Sequence, residues 1–401
     1  MRATPAVLTV ALALLISACA DQPSSPTSFG LSASRSGVPF ASGLASPAWQ
    51  TTATTRTVQA AFAPFTQSRA LSLLGVAQYL AVQRAEGADG GGGRDQLELD
   101  RGAVAGASAA VLTYLFASQA QEFEDLVAAQ ATTGPGGLAA HPAFTRGEEI
   151  GRAVGAEIVT RAQGDGFNTP FTGTIPSGSG LWISNTTPAT IAGGQLPTSR
   201  PWFLTSAGQF RSEPPPAFGS AAFLAGLAEI RQISDHRTAD QTLIAAFWAP
   251  KASGFWIQVG TDLINQRGLS EREATHLYGL LSATVYDAFV GCWDAKQTFW
   301  LIRPWQTDPG ITTTAAVGKP NHPSYPSGHS CVSASSAAVL SEFFPDQRAQ
   351  LDAMVTQAGL SRMYGGIHYR FDIDAGQALG RNVARFTIAA DASGNSVLTP
   401  H

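Results

Sequence analysis

The sequence predicts an all-α fold, a multi-helix bundle. Three observations point there. Apolar residues recur at three-and-four spacing in one segment after another, Ala and Leu dominate those segments, and the alternating pattern of half-buried strands is sparse. Of the 401 residues, 44% are hydrophobic and only 13% are charged, against about 25% in a typical soluble domain, so a large core can be buried. The net charge of −4 offers no basic field, which excludes nucleic acid as a partner. Lysine occurs only at Lys251, Lys296 and Lys319, so any well-placed lysine is informative.

The N-terminus reads as a targeting segment. Arg2 precedes an apolar run over residues 7–16, shorter than the roughly 20 residues needed to span a bilayer. It suits a signal-peptide core. At its end, Leu15-Ile16-Ser17-Ala18-Cys19 resembles a bacterial lipobox, in which the cysteine is acylated. Ordinary cleavage after Ala18 or Ala20, with Cys19 incidental, is the alternative. The expected organisation is a lipoprotein signal over 1–19, a flexible Ser/Pro/Thr/Ala-rich tether over 20–55, and one helical domain over 56–401. The location that follows is the bacterial cell envelope, periplasmic or extracytoplasmic, with the membrane touched only through the lipid anchor.

Helical spacing then covers 60–86, closed by Gly87, followed by a glycine loop at 90–93 with no Gly-Lys-Ser/Thr ending and hence no phosphate-binding P-loop. Helices are expected over 101–129 and 145–163, both with small residues on one side that permit close packing. Residues 164–216 are rich in Gly, Pro, Thr and Ser and predict a long ordered loop or lid. Helices resume over 221–233, 238–248 and 256–266. A long one starts at Leu269, where Ser270-x-x-Glu273 forms a capping box.

The chemistry concentrates near the C-terminus, in a motif core over 270–390. Lys296 is followed seven positions later by Arg303-Pro304. Then come His322-Pro-Ser-Tyr-Pro-Ser327-Gly328-His329 and Ser361-Arg362, with His368 and Asp372 beyond. Singly these are ordinary residues. Together they describe a cradle for an oxyanion. Guanidinium groups bind tetrahedral anions bidentately and a lysine adds a point charge. Ser327 and Gly328 open a helix over 330–344, whose free N–H groups face an anion. His368 and Asp372, at i and i+4, let the carboxylate hold one imidazole nitrogen while the other points at the anion. His329 is a separate acid/base. Cys292 and Cys331 lie beside these motifs, either paired as a disulfide or as two buried thiols. His141, His236 and His276 lack metal-ligand spacing. Asp287 and Asp294 suggest local ion pairs, and Arg211 a structural salt bridge.

Lys-x6-Arg-Pro (296–304), Pro-Ser-Gly-His (326–329) and Ser-Arg-x5-His-x3-Asp (361–372) resemble the three signature motifs of the type-2 phosphatidic acid phosphatase/vanadium haloperoxidase superfamily, complete and in order. The resemblance implies a helical bundle of that type. It implies His368, His329 and Asp372 as catalytic residues and Lys296, Arg303, Ser327, Gly328 and Arg362 as oxyanion ligands. In the phosphatases the His matching His368 attacks phosphorus. In the haloperoxidases vanadate occupies the same cradle, and the His matching His368 is its axial ligand.

His322, where bromide-oxidising members also carry a histidine, and Trp293, where peroxidases often have an aromatic, lean toward the peroxidase branch as halide-linked or supporting residues. The upstream half also resembles bacterial haloperoxidase-like proteins, through Trp182, Ser206-x-x-Gln209-Phe210-Arg211, Pro214-Pro215-Pro216 and the run from Arg237-Thr238 to Phe247-Trp248. The compact stretch between His329 and Arg362 leans toward the bacterial acid phosphatases. Three functions follow: a vanadate-dependent, haloperoxidase-like enzyme taking hydrogen peroxide and halide; a phosphatase acting on a small phosphoester through a phosphohistidine, with no cofactor; or an anchored, non-catalytic oxyanion binder. If Cys19 carries the anchor, Cys19→Ser should release the protein from the membrane fraction; retention of that variant in membranes would point to another anchor.

Overall fold

The computed structural model describes residues 43–89, 94–132 and 141–399. Residues 1–42, which include Cys19 and most of the expected tether, and the glycine run at 90–93 lie outside the described residues. Thirteen α-helices account for most of the described residues: α1 (Ala45–Gln59), α2 (Pro64–Asp89), α3 (Arg94–Leu115), α4 (Ala120–Ala131), α5 (Pro142–Gln163), α6 (Ala221–Asp235), α7 (Ala239–Trp248), α8 (Ser253–Arg267), α9 (Glu271–Phe299), α10 (Pro304–Thr307), α11 (Gly328–Phe343), α12 (Arg348–Tyr364) and α13 (Arg370–Ala392). None of them is long and apolar enough to cross a membrane. The all-α expectation holds, with an isolated bridge between Leu181 and Leu301 as the strand-like pairing seen among the described residues.

Helix α9 organises the bundle. Its capping box forms as expected: the Ser270 hydroxyl accepts the Glu273 N–H, and the Glu273 carboxylate accepts the Ser270 N–H at 2.8 Å. At 29 residues it is about 43 Å long at 1.5 Å per residue. Most of its residues are buried, and it packs against α2, α11 and α13. The close helix packing foreseen from small residues occurs between α3 and α5. A Cβ at Gly102 would lie 2.0 Å from the Phe144 carbonyl oxygen, and one at Gly147 would lie 1.9 Å from that of Leu99. Only glycine lets these backbones touch.

Two boundaries differ from the sequence reading. The expected tether ends early: residues from Ala45 onward form α1, because the buried Glu271 carboxylate accepts the N–H groups of Ala45 (2.5 Å) and Ser46 (2.9 Å) and Trp49 enters the core. The single helix expected over 101–129 is broken at Phe116. Its ring leaves the helical path to stack on Phe62 at 5.4 Å, and the chain restarts as α4, which buries Phe123 and Val127. Sequence periodicity could not register a break that a distant ring creates.

The segment 164–220 is ordered and irregular, as expected, and it is fastened along one face of α9. The Asp287 carboxylate accepts the backbone N–H groups of Trp202 (2.7 Å), Phe203 (2.8 Å) and Leu204 (3.0 Å). Trp293 Nε1 donates to the Ala192 carbonyl and Gln297 Nε2 to that of Gly194. Arg211 forks onto Asp294, so the structural salt bridge expected of Arg211 forms, and the ion pair expected of Asp294 is made with a residue 83 positions away and not locally. Asp287 is different from that expectation: its nearest donors are backbone amides. The segment is therefore a fixed wall. α9 ends at Trp300 with φ 48°, a left-handed conformation that costs a non-glycine residue about 1–2 kcal/mol. It is held there by Trp182, whose ring stacks at 6.2 Å and whose backbone N–H donates to the Trp300 carbonyl at 2.7 Å.

Asp287→Asn leaves one good acceptor for three buried N–H groups. Hydrogen bonds to a charged group are worth about 1.5–3 kcal/mol, so a loss of about 2 kcal/mol is expected, read as a lower urea midpoint at unchanged slope with earlier proteolysis within 164–216. An unchanged midpoint would mean that other contacts hold the wall.

Candidate active site

Five pieces of chain converge at the C-terminal end of α9. The helix brings Cys292, Trp293 and Lys296; residue 303 precedes α10; the loop 319–327 leads into α11; α12 ends near Arg362; and the turn 365–369 carries His368 into α13. That turn requires glycine. Gly366 has φ +73°, and a Cβ there would lie 2.4 Å from the Thr312 carbonyl oxygen.

His368 sits just ahead of α13, and Asp372 lies in its first turn. Asp372 Oδ2 accepts from His368 Nδ1 (2.8 Å), the Ser324 hydroxyl (2.5 Å) and the Tyr369 N–H (3.1 Å). The far nitrogen, His368 Nε2, faces Arg303 Nη1 at 3.1 Å. A guanidinium can only donate, so Nε2 is an acceptor and the ring proton is on Nδ1. The i, i+4 arrangement read from sequence is therefore formed, with the tautomer it requires. Burial, then the charges of Arg303, Lys296 and Arg362, keep His368 well below the usual imidazole range. Burial raises Asp372 to about 6 against the pull of Ser324 and the cations. All three cations act on one imidazole, so they share one site.

Their hydrogen bonding differs. Arg303 donates Nε to the His322 carbonyl (3.0 Å), Nη1 to the Ile367 carbonyl (2.7 Å) and Nη2 to His322 Nδ1 (3.1 Å). Lys296, expected as an oxyanion ligand, spends its three ammonium protons on the carbonyls of Pro323 (2.8 Å), Ser324 (2.9 Å) and Pro326 (2.5 Å). It clamps the loop ahead of Ser327 and offers an anion its charge, since no proton is left to donate in this arrangement. Burial lowers it to about 8, still mostly charged at neutral pH. Arg362 is the opposite case: it is 3% exposed, and its Nε and Nη1 have no partner. Burial alone brings it to about 10, so it remains a cation.

Ser327 is the N-cap of α11. Its hydroxyl accepts the Ser330 N–H at 3.4 Å, and its own N–H is taken by the Asp372 carbonyl. Gly328 is the first helical residue, and a Cβ there would lie 3.4 Å from the Trp293 ring. His329 Nε2 lies 3.1 Å from the Trp248 carbonyl at the end of α7; a carbonyl only accepts, so Nε2 carries a proton there, and the backbone of Ala249 is a second partner of the ring. Burial and then Arg362 push His329 down to about 3. His322 packs on Trp293 with ring centres 4.9 Å apart and is held neutral by burial, Lys296 and Arg303. Cys292 and Cys331 are both buried free thiols, so the disulfide reading is not realised.

The residues singled out in the sequence for the oxyanion site lie on these converging pieces and the first turns of α11 and α13, while Cys19 lies outside the described residues. Sequence reasoning missed Ser324, the Ile367 carbonyl and the Trp248 carbonyl. Ser324 was inside the quoted His322–His329 run, but nothing in a serine says which carboxylate it will reach. Backbone acceptors leave no side-chain signal at all.

A tetrahedral oxyanion such as vanadate or phosphate fits this site. A buried guanidinium with two unsatisfied N–H groups calls for an acceptor, since an unpaired buried polar group is costly. The free N–H groups at the start of α11 add further donors. Among the described residues no group of three or more His, Cys, Asp or Glu side chains is placed to hold a metal cation. The site is built for negative charge.

Residues 275–392 match the PAP2 superfamily. A non-specific acid phosphatase of Providencia stuartii is 28% identical over 207 residues, covering 49% of this chain and 83% of that protein. Among solved structures, the first bacterial vanadium-dependent iodoperoxidase superposes with a TM-score of 0.72 at 22% identity, over 87% of this chain and 96% of that one. A holo-type bacterial vanadium-dependent chloroperoxidase gives 0.65 at 14% identity, over 84% and 94%. The structural likeness reaches well beyond the motif core, and it establishes the helical fold. The three motifs assembled at this site all lie within residues 275–392, the stretch that matches the PAP2 superfamily.

Proposed function

We propose that this protein is a vanadate-dependent, haloperoxidase-like enzyme that oxidises halide with hydrogen peroxide. The observation that carries the reading is His322. It is not needed for an anion cradle, yet it shares the Arg303 guanidinium with His368 and packs on Trp293. The fold, shared with the vanadium-dependent iodoperoxidase over 87% of this chain, is compatible with it.

Arg362 Nε and Nη1, the free N–H groups at the start of α11 and the Ser327 hydroxyl would hold the oxygens of vanadate, with Lys296 and Arg303 supplying charge. His368 Nε2 would be the side-chain nitrogen that holds it, once Arg303 Nη1 turns from that nitrogen. Asp372 keeps the His368 proton on Nδ1, so the Nε2 lone pair stays available. When bound, vanadate supplies Lewis-acid activation of hydrogen peroxide toward halide. His329 takes up and returns a proton at Nδ1 while Nε2–H stays on the Trp248 carbonyl. An anion beside Arg362 offsets the second cause of the low His329 pKa, so it moves up while burial, the larger cause, remains. The fixed wall over 164–220 limits water at the site.

Arg362→Ala should abolish activity and weaken orthovanadate and orthophosphate binding by one to two decades for each bond lost, at about 1.5–3 kcal/mol per charge-assisted bond. Arg362→Lys should restore little, because an ammonium lacks the planar fork. Near-parental activity in Arg362→Ala would remove that residue from the site. The choice of branch rests on a paired assay of one preparation: iodide, bromide and chloride oxidation with vanadate and peroxide, then phosphoester hydrolysis without vanadate. Halide oxidation lost in His368→Ala is the expected result. Acid-labile phosphate trapped on His368, with halide oxidation at background, would make the enzyme a phosphatase.

A further inference from the structure

We propose that Gln357 is a positioning residue for His329, acting through Trp248. The inference rests on the reading of His329 as the proton-exchanging group. Trp248 ends α7, and its carbonyl accepts both the Lys251 N–H at 3.0 Å and His329 Nε2–H at 3.1 Å. Its indole Nε1 donates in turn to Gln357 Oε1 at 3.0 Å. Trp248 and Gln357 are each 1% exposed. Gln357 lies on α12, five residues before Arg362, so one amide ties the acceptor of His329 to the helix that carries the unsatisfied guanidinium.

The remaining contacts of the Trp248 ring are aromatic: Phe247 at 5.5 Å and Phe255 at 5.3 Å, both edge-on, and Trp256 at 6.3 Å. Such packing keeps the ring in the core but is weakly directional, and it tolerates small rotations and slides. The hydrogen bond to Gln357 is directional and sets the height of the ring against α12, hence the position of the Trp248 carbonyl. That carbonyl decides which nitrogen of His329 keeps its proton and where Nδ1 lies relative to Arg362. Catalytic geometry is sensitive at this scale: a misplacement of about 1 Å far from the chemistry can cost on the order of a hundredfold in rate.

The test separates positioning from mere stability. Gln357→Leu strands a buried indole N–H and should lower both stability and turnover. Adding Trp248→Phe removes the stranded donor, and replacing both partners by apolar groups is often nearly neutral for stability. In the double variant the melting temperature should recover while kcat stays about tenfold or more below the parent. Orthovanadate and orthophosphate dissociation constants, set by Arg362 and α11, should remain within about twofold. Gln357→Glu, which keeps an acceptor at this position, should restore turnover in part.

Imidazole 15N spectra provide a readout independent of turnover. His329, assigned by its loss in His329→Ala, should be a single Nε2–H tautomer in the parent and a mixture in the Gln357→Leu and double variants. If the double variant regains both kcat and the single tautomer, Gln357 is only structural and the proposal falls. It falls also if Gln357→Leu weakens anion binding as much as turnover. If the parent turns over neither halide nor phosphoester, the functional reading fails, and the tautomer readout still decides the role of Gln357.

Discussion

Lys296, Arg303 and Arg362 are buried around a single imidazole, His368, and much of the rest of the structure follows from that concentration of positive charge. Removing a charge from water costs several kcal/mol even in relaxed proteins, so each cation needs compensation. Lys296 takes three carbonyls of the loop that delivers Ser327. Arg303 takes two carbonyls and two imidazoles. Arg362 alone is left with unsatisfied donors. The first two are compensated by the protein itself, and in being so they fix the loops of the site. The third keeps Nε and Nη1 without a protein acceptor, donors that the proposed oxyanion would satisfy. On that reading binding strength and site geometry are assigned to different cations, although in sequence all three look alike.

A helical framework must carry this arrangement, because a site with one unsatisfied cation does not stabilise itself. α9 does so by being buried along most of its length and by presenting Asp287, Trp293, Asp294 and Gln297 along one face to fasten the irregular wall. The same helix therefore supplies core, wall and cation. Its left-handed end at Trp300 redirects the chain so that Arg303 arrives seven residues after Lys296 but on a different segment. The motif spacing of six intervening residues records that geometry.

The imidazoles show the same division of labour. Asp372 fixes the tautomer of His368 with a side chain, and the end of α7 fixes that of His329 with a backbone carbonyl. Both rings are neutral when the site holds no anion, because burial and the cations disfavour a further positive charge. Charge brought by an anion would offset the cations but not the burial, so on the proposed reading proton uptake at His329 is easier when the cradle is occupied.

By itself the sequence determined the helical class, the capping box that starts α9, the ordered irregular segment over 164–216, and the set of residues that meet at the site. It did so because those features are local: periodicity, caps and fixed spacings such as His368 to Asp372 repeat wherever the chain forms a helix. Only the tertiary structure decided that Lys296 clamps a loop, that Arg362 keeps unsatisfied donors, that Asp287 anchors three amides, and that Cys292 and Cys331 stay free thiols. Each of these depends on which backbone groups and which distant side chains lie opposite. That is settled by packing among helices far apart in the chain, and a backbone carbonyl has the same letter as no residue in particular.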